Sequence, residues 1–215
     1  MSAPILALAG VRVRREGRVL GVPDLEAARG ELVAVLGPNG VGKTTLLLAA
    51  AGLVDLAAGQ VSAFDRPFHA GVAPGALALR RRMALAAQVP LLLAGSVRSN
   101  LAWGLRFRGV PRGERRARVE RWLDRFGLAH LAHRGAPSLS GGEQRLVALA
   151  RAFVLEPELL FLDEPFTHLD AAAVPRVEAL VAERVAAGAT VLVALHDREQ
   201  AARLGARVVE PWVSR

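Results

Sequence analysis

The nine residues Gly37-Pro38-Asn39-Gly40-Val41-Gly42-Lys43-Thr44-Thr45 join a short apolar run to a helical pattern, and few folds accommodate a glycine loop in that position. The run before it, Glu31 to Leu36, reads as a strand buried on both faces, which belongs in a parallel sheet covered by helices. Glycine, four free positions, glycine, lysine and a hydroxyl residue is the spacing in which backbone N–H groups and the positive end of a helix converge on one anionic spot. A nucleotide polyphosphate fits such a spot. Lysine occurs once in the chain, at Lys43, while arginine supplies every other fixed cation. Lysine is a compact ammonium with three donors and arginine a broad planar fork, so the lone lysine marks a place too narrow for arginine. Lys43 is expected to neutralise the outer phosphates and the Thr44 hydroxyl to ligate the magnesium ion that accompanies them.

Further strand-like runs at Ile5 to Val13, Leu159 to Leu162 and Val191 to Leu195 are separated by helical patterns at Lys43 to Ala51, Arg115 to Phe126, Gly142 to Leu155 and Val174 to Ala187. This order predicts an α/β domain. Gly52 is expected to cap the first helix, and Pro111-Arg112-Gly113 to form a loop before the basic one. The chain has no cysteine, which excludes a disulfide or thiolate metal site and suits the cytoplasm. Its most apolar stretches, Leu46 to Leu56 and Leu85 to Ala94, are broken by Gly52 and Asp55 or by Gln88 and Pro90, so neither is expected to span a bilayer. Met1-Ser2-Ala3-Pro4 offers no basic region ahead of an apolar one, and no secretory signal is expected. The net charge of +8 is concentrated between Arg106 and Arg125, where eight arginines face Glu114, Glu120 and Asp124. Helical spacing there fits a solvated helix face, and a lipid or nucleic-acid patch is the alternative. His69, His130 and His133 lack a third ligand and read as surface residues.

A second chemical centre follows the apolar run Leu159-Leu160-Phe161-Leu162, which ends in Asp163-Glu164-Pro165. Burying that strand delivers two carboxylates to the carboxyl edge of the sheet, where open α/β sheets bind ligands. Asp163 would hold magnesium and Glu164 would orient or deprotonate the attacking water. Between the two centres, Leu139-Ser140-Gly141-Gly142-Glu143-Gln144 opens a helix.

In this order the three motifs resemble those of the ATP-binding cassette (ABC) ATPases, and the resemblance covers nearly the whole chain. It implies a P-loop NTPase (RecA-like) α/β core with a small N-terminal antiparallel β region and an inserted α-helical subdomain. The whole of 1–215 would be one domain, with 1–88 and 154–215 as the core lobe and 89–153 as the helical part carrying the signature. Gln88 is similar to the glutamine-loop residue that meets magnesium and links hydrolysis to a partner. Thr167-His168-Leu169-Asp170 is similar to the D-loop, and His196 to the switch histidine that touches the γ-phosphate. The resemblance further implies a head-to-tail dimer with two nucleotides at the interface, each ATP with its Mg2+ held between the loop of residues 37–45 of one chain and Ser140 and Gly142 of the other, with Gly141 and Asp170 also among the nucleotide-binding residues. A cytoplasmic motor subunit on the inner face of the membrane is then expected, working with transmembrane permease subunits and, in an importer, an external substrate-binding protein. No nucleic-acid partner is expected. Residues 88–111 resemble importer cassettes, faintly those for oxyanions. The alternative is a soluble ATPase of the metal-cluster assembly type, since the stretch from Lys43 to Leu139 is too short for the insertions of DNA-repair members. Pro90-Leu91-Leu92-Leu93 forms either a docking surface for a membrane subunit or part of the core.

Three departures stand out. Where the family commonly stacks an aromatic residue on adenine, this chain has Arg14-Arg15 and no tyrosine, leaving Arg14 or Arg15 to meet the base. Arg145-Leu146 replaces the usual Gln-Arg after the signature, and His168 replaces a small residue in the D-loop.

Overall fold

The computed structural model describes residues 3–15, 18–68 and 75–210. Strands β1 (Leu6–Arg15), β2 (Arg18–Gly21), β3 (Leu25–Ala27) and β4 (Leu32–Leu36) lead into helix α1 (Lys43–Ala50). Then come β5 (Leu56–Ala63), β6 (Arg66–Pro67), α2 (Ala76–Arg80) and β7 (Met83–Ala86). Three longer helices follow, α3 (Val97–Phe107), α4 (Arg112–Phe126) and α5 (Gly141–Phe153). The chain continues with β8 (Leu159–Asp163), α6 (Ala173–Ala186), β9 (Thr190–Leu195), α7 (Arg198–Arg203) and β10 (Arg207–Val209).

The strands form two sheets. One is antiparallel, with β1 bonded to β2, β3 and β5, and β6 on the outer side of β5. The other is wholly parallel in the order β10-β4-β9-β8-β7. Every residue of β4, β8 and β9 is buried, as a parallel sheet covered on both faces requires. Side chains alternate between the faces. Val33, Val35, Leu159, Phe161 and Leu192 join α1 and the antiparallel sheet in one core, while Ala34, Leu36, Leu160, Leu162, Val191 and Val193 join the helices in another. In the second core Trp122, Phe126 and Phe153 lie with ring centroids 5.3 to 6.0 Å apart and fasten α4 to α5.

Because β4, β7, β8 and β9 run in parallel, their carboxyl ends share one edge of the sheet. The glycine loop, Gln88, Asp163-Glu164 and His196 therefore emerge side by side although they span more than half the sequence. Neighbouring strands β7 and β8 are joined not by a short turn but by residues 87–158, which hold α3, α4 and α5.

Two local expectations need correction. Arg112 and Gly113 belong to α4 rather than to a loop: Pro111 occupies the N-cap, where its missing N–H costs nothing. Helix α3 was not anticipated, yet Ser96 caps it by accepting from the Ser99 N–H, and Val97, Leu101 and Leu105 line its buried side at four-residue spacing. The arginine run is largely engaged within the chain: Arg118 pairs with Glu114, Arg121 with Glu156 and Arg125 with Glu183, and Arg125 also stacks on Trp122. His130 and His133 are exposed, and His69 lies outside the described residues. Among the described residues no helix is long and apolar enough to cross a membrane.

Candidate functional site

The loop after β4 turns on Gly40 (φ 79°) and Gly42 (φ 115°), left-handed conformations that a side chain would strain. Gly42 caps α1 without a side-chain hydrogen bond, and the first turn carries no acid. The N–H groups at this junction are thus left for an incoming anion. Lys43 is 5% exposed, and its ammonium donates to the carbonyls of Gly37 (2.7 Å) and Pro38 (3.1 Å) while standing 3.7 Å from Glu164 Oε1. The loop therefore stores the cation in place, aimed along the wall of a cavity of about 470 Å3.

Asn39, Gly40, Val41, Gly42, Lys43, Thr44 and Thr45 line that cavity together with Gln88 and Glu164. Thr44 Oγ1 donates to Asp163 Oδ2 (2.7 Å), and Gln88 Nε2 donates to Glu164 Oε2 (3.0 Å). Burial pushes the Asp163 carboxyl above its usual pKa, against the opposing hydrogen bond from Thr44. Its second oxygen, Oδ1, is buried without a partner. An orphaned carboxylate oxygen, on a carboxylate already bonded to the Thr44 hydroxyl, is a hard-oxygen donor that fits Mg2+, a cation that keeps few protein ligands and takes the rest from phosphates and water. Among the described residues there is no cluster of three or more His, Cys, Asp or Glu that could hold a metal.

Other expected residues lie elsewhere on the same chain. Ser140 caps α5 in a reciprocal capping box, accepting from the Glu143 N–H (3.3 Å) and donating its own N–H to the Glu143 carboxylate (2.7 Å). Ser140, Gly141 and Gly142 are outside the cavity, as is Asp170, whose carboxylate accepts from the Ala173 N–H (2.7 Å). A Cβ on Gly142 would sit 3.0 Å from the His168 carbonyl, so the signature glycine lets the loop bearing His168 pack closely. His196 is exposed at the end of β9 and does not line the cavity.

Leu20, Gly21 and Val22 also line the cavity. Arg14 pairs in register with Val19, one residue out of phase with Leu20, which puts it on the other face of that ribbon and away from the cavity. The Arg15 side chain lies outside the described residues. Leu20 was missed because an exposed leucine on a short strand carries no sequence signal of its own. Arg145, one of the departures noted in the sequence, is buried.

A family model described as "ABC transporter" matches residues 20–167. The chain is 43% identical over 208 residues to the Fe(3+) ions import ATP-binding protein FbpC of Streptomyces avermitilis, covering 95% of this chain and 59% of that protein. It is 39% identical over 215 residues to the nickel import ATP-binding protein NikO of Rhodobacter capsulatus, covering 96% of this chain and 85% of the relative. Among solved structures it resembles cbiO1 of Clostridium perfringens, part of the cbiONQ ABC transporter complex, with a TM-score of 0.75, 31% identity and coverage of 91% and 80% of the two chains. The chain spans 59% and 60% of the length of two iron-import relatives, so it corresponds to a little over half of each.

Proposed function

Because the chain belongs to the ABC transporter ATP-binding family, we propose that it is an ATP-hydrolysing motor subunit whose paired copies drive transport through separate permease subunits. The observation that carries this reading is one cavity lined by the glycine loop, Lys43, Thr44, Gln88 and Glu164. When ATP enters, the Lys43 ammonium exchanges loop carbonyls for phosphate oxygens. Asp163, Thr44 and Gln88 would hold Mg2+, which supplies charge neutralisation at the phosphates. Glu164 orients or deprotonates water, once Gln88 releases its oxygen. Ser140, Gly141, Gly142 and Asp170 of a second copy, with His196 of this one, complete the site in a head-to-tail dimer, which accounts for their position outside the single-chain cavity. We take 1–88 with 154–215 as the core lobe and 89–153 as the helical part that carries the signature. Phosphate release from ATP by the full chain, measured with the membrane proteins that copurify with it, tests the assignment; no nucleotide-dependent turnover in that assembly would reject it.

A permease has a surface to meet. Leu91 is 77% exposed directly after the Gln88 segment and Val89 is exposed beside Gln88, while Leu93 and Phe107, exposed as well, line a 260 Å3 hollow with Trp103, Gly104 and Leu155. Buried Asn100 pins this segment by bonding both the N–H and the carbonyl of Leu93. A contiguous apolar surface of this kind marks an interaction site, here for a helix of the membrane subunit. The chain lacks cysteine, so a cysteine placed at Leu91 or Leu93 is unique. Crosslinking from these positions is expected to capture the permease, and capture only from the far side of the molecule would refute the assignment. The cargo, whether oxyanion or metal ion, is decided by the permease and any external binding protein, because it never touches this chain.

Base recognition should be loose. An aliphatic wall of Leu20 and Val22 replaces the aromatic platform that contributes about 1 to 3 kcal/mol by stacking. Affinity then rests on phosphates, which ATP and GTP share. The two are expected to bind within about tenfold of each other, and Leu20→Trp to tighten both. A strong ATP preference, unmoved by Leu20→Ala, would contradict this account of the base wall.

A further inference from the structure

Arg145 is 2% exposed, and its hydrogen-bond partners among the described residues are backbone carbonyls. The guanidinium has five N–H donors, and each finds an oxygen. Nε reaches Pro165 (3.4 Å), Nη1 reaches Ala87 and Gln88 (2.9 Å to Gln88), and Nη2 reaches Asp163 (2.5 Å) and Glu164 (2.6 Å). Those carbonyls belong to two segments, the stretch that carries Gln88 and the end of β8 that carries Glu164. Arg145 itself belongs to a third, helix α5, whose first turn is the signature. Glu164 has φ 47°, a left-handed conformation that costs a non-glycine residue and persists only where its surroundings impose it. Its peptide is gripped on one side by Arg145 and on the other by its own N–H, which donates to Ala194 O (3.1 Å).

We propose that Arg145 is a positioning residue: its guanidinium clasps the Gln88 segment and the Glu164 turn into one body with α5, so that the signature helix sets the geometry of the hydrolytic pair. This rests on the hydrolysis reading above for its consequence, though not for its geometry. A single fork is needed because the five oxygens come from two separate segments; an ammonium, with three donors at one point, cannot span both. Displacement of Glu164 and Gln88 then impairs the chemical step and leaves phosphate binding by the glycine loop untouched. Arg145 does not line the cavity, and its effect passes through the two residues it aligns.

Hydrogen–deuterium exchange on the full chain compares wild type with Arg145→Lys, and with Arg145→Met should the lysine variant fold poorly. Exchange is expected to quicken by about tenfold or more in the segments 86–90 and 163–168 together, with helix α4 unchanged. ATP affinity should stay within about threefold, and in an assembled, turning-over complex kcat should fall by about 10- to 100-fold at unchanged KM. Unaltered exchange in either segment, or equal quickening throughout the chain, overturns the proposal. Exchange decides it with or without turnover. An inactive wild type would therefore condemn the hydrolysis reading, while the clasp stands or falls on its own result.

Discussion

Glu164→Gln is expected to keep nucleotide binding and to lose about 10² to 10⁴ in turnover, the usual effect of removing a general base. The carboxylate is 11% exposed, with one oxygen facing Lys43 and the other accepting from Gln88. Glutamine keeps the shape and an oxygen for Gln88 but cannot take a proton from water. Its neutrality also relieves Lys43 of its one close counter-charge in the cavity, which leaves the ammonium more available to phosphate. Binding should therefore hold or tighten while hydrolysis stops, and a dimer trapped on unhydrolysed ATP should accumulate. Steady-state phosphate release and equilibrium binding on the same preparation separate the two effects. Near-normal turnover, with the membrane subunits present, would remove Glu164 from the mechanism.

The parts of this site that could be read from the sequence are those whose chemistry demands a fixed local spacing. The glycine loop needs left-handed glycines and a lysine at set positions, and the buried strand that leads into Asp163-Glu164 is visible because four apolar residues followed by two acids have few other uses. Parallel strands then bring both to one edge, an inference from topology rather than from any contact. Helix α3 escaped notice because its buried apolar residues are only Val97, Leu101 and Leu105, interrupted by polar Asn100 and diluted by Trp103 and Phe107 pointing elsewhere. The short strands β2 and β3 are defined by their pairing with β1 and have no periodicity long enough to see. Arg145 shows the limit most clearly. An arginine in a helix reads as surface, and only five converging carbonyls from segments 20 and 58 positions away make its burial stable. Long-range backbone geometry of that kind leaves no mark on composition or spacing.

Lys43→Arg is expected to be as damaging as removing the charge. If charge alone held the phosphates, arginine would serve, as it does at every other cationic position of this chain. The ammonium is enclosed, with loop carbonyls at 2.7 and 3.1 Å and Glu164 at 3.7 Å, and the glycine turns around it have no room to widen without changing their left-handed backbone. A guanidinium is longer and broader and presents its donors in a plane, so it must either push the loop open or leave the cavity. Losing one partner of a buried charge pair costs about 2 to 5 kcal/mol, which corresponds to roughly 30-fold to several thousand-fold in affinity. Lys43→Ala should fall in that range and Lys43→Arg beside it. Titration of ATP onto the three proteins decides between shape and charge. If the arginine variant binds within about threefold of wild type, the loop is wider than its geometry implies, and the chain's one lysine would be an accident of composition.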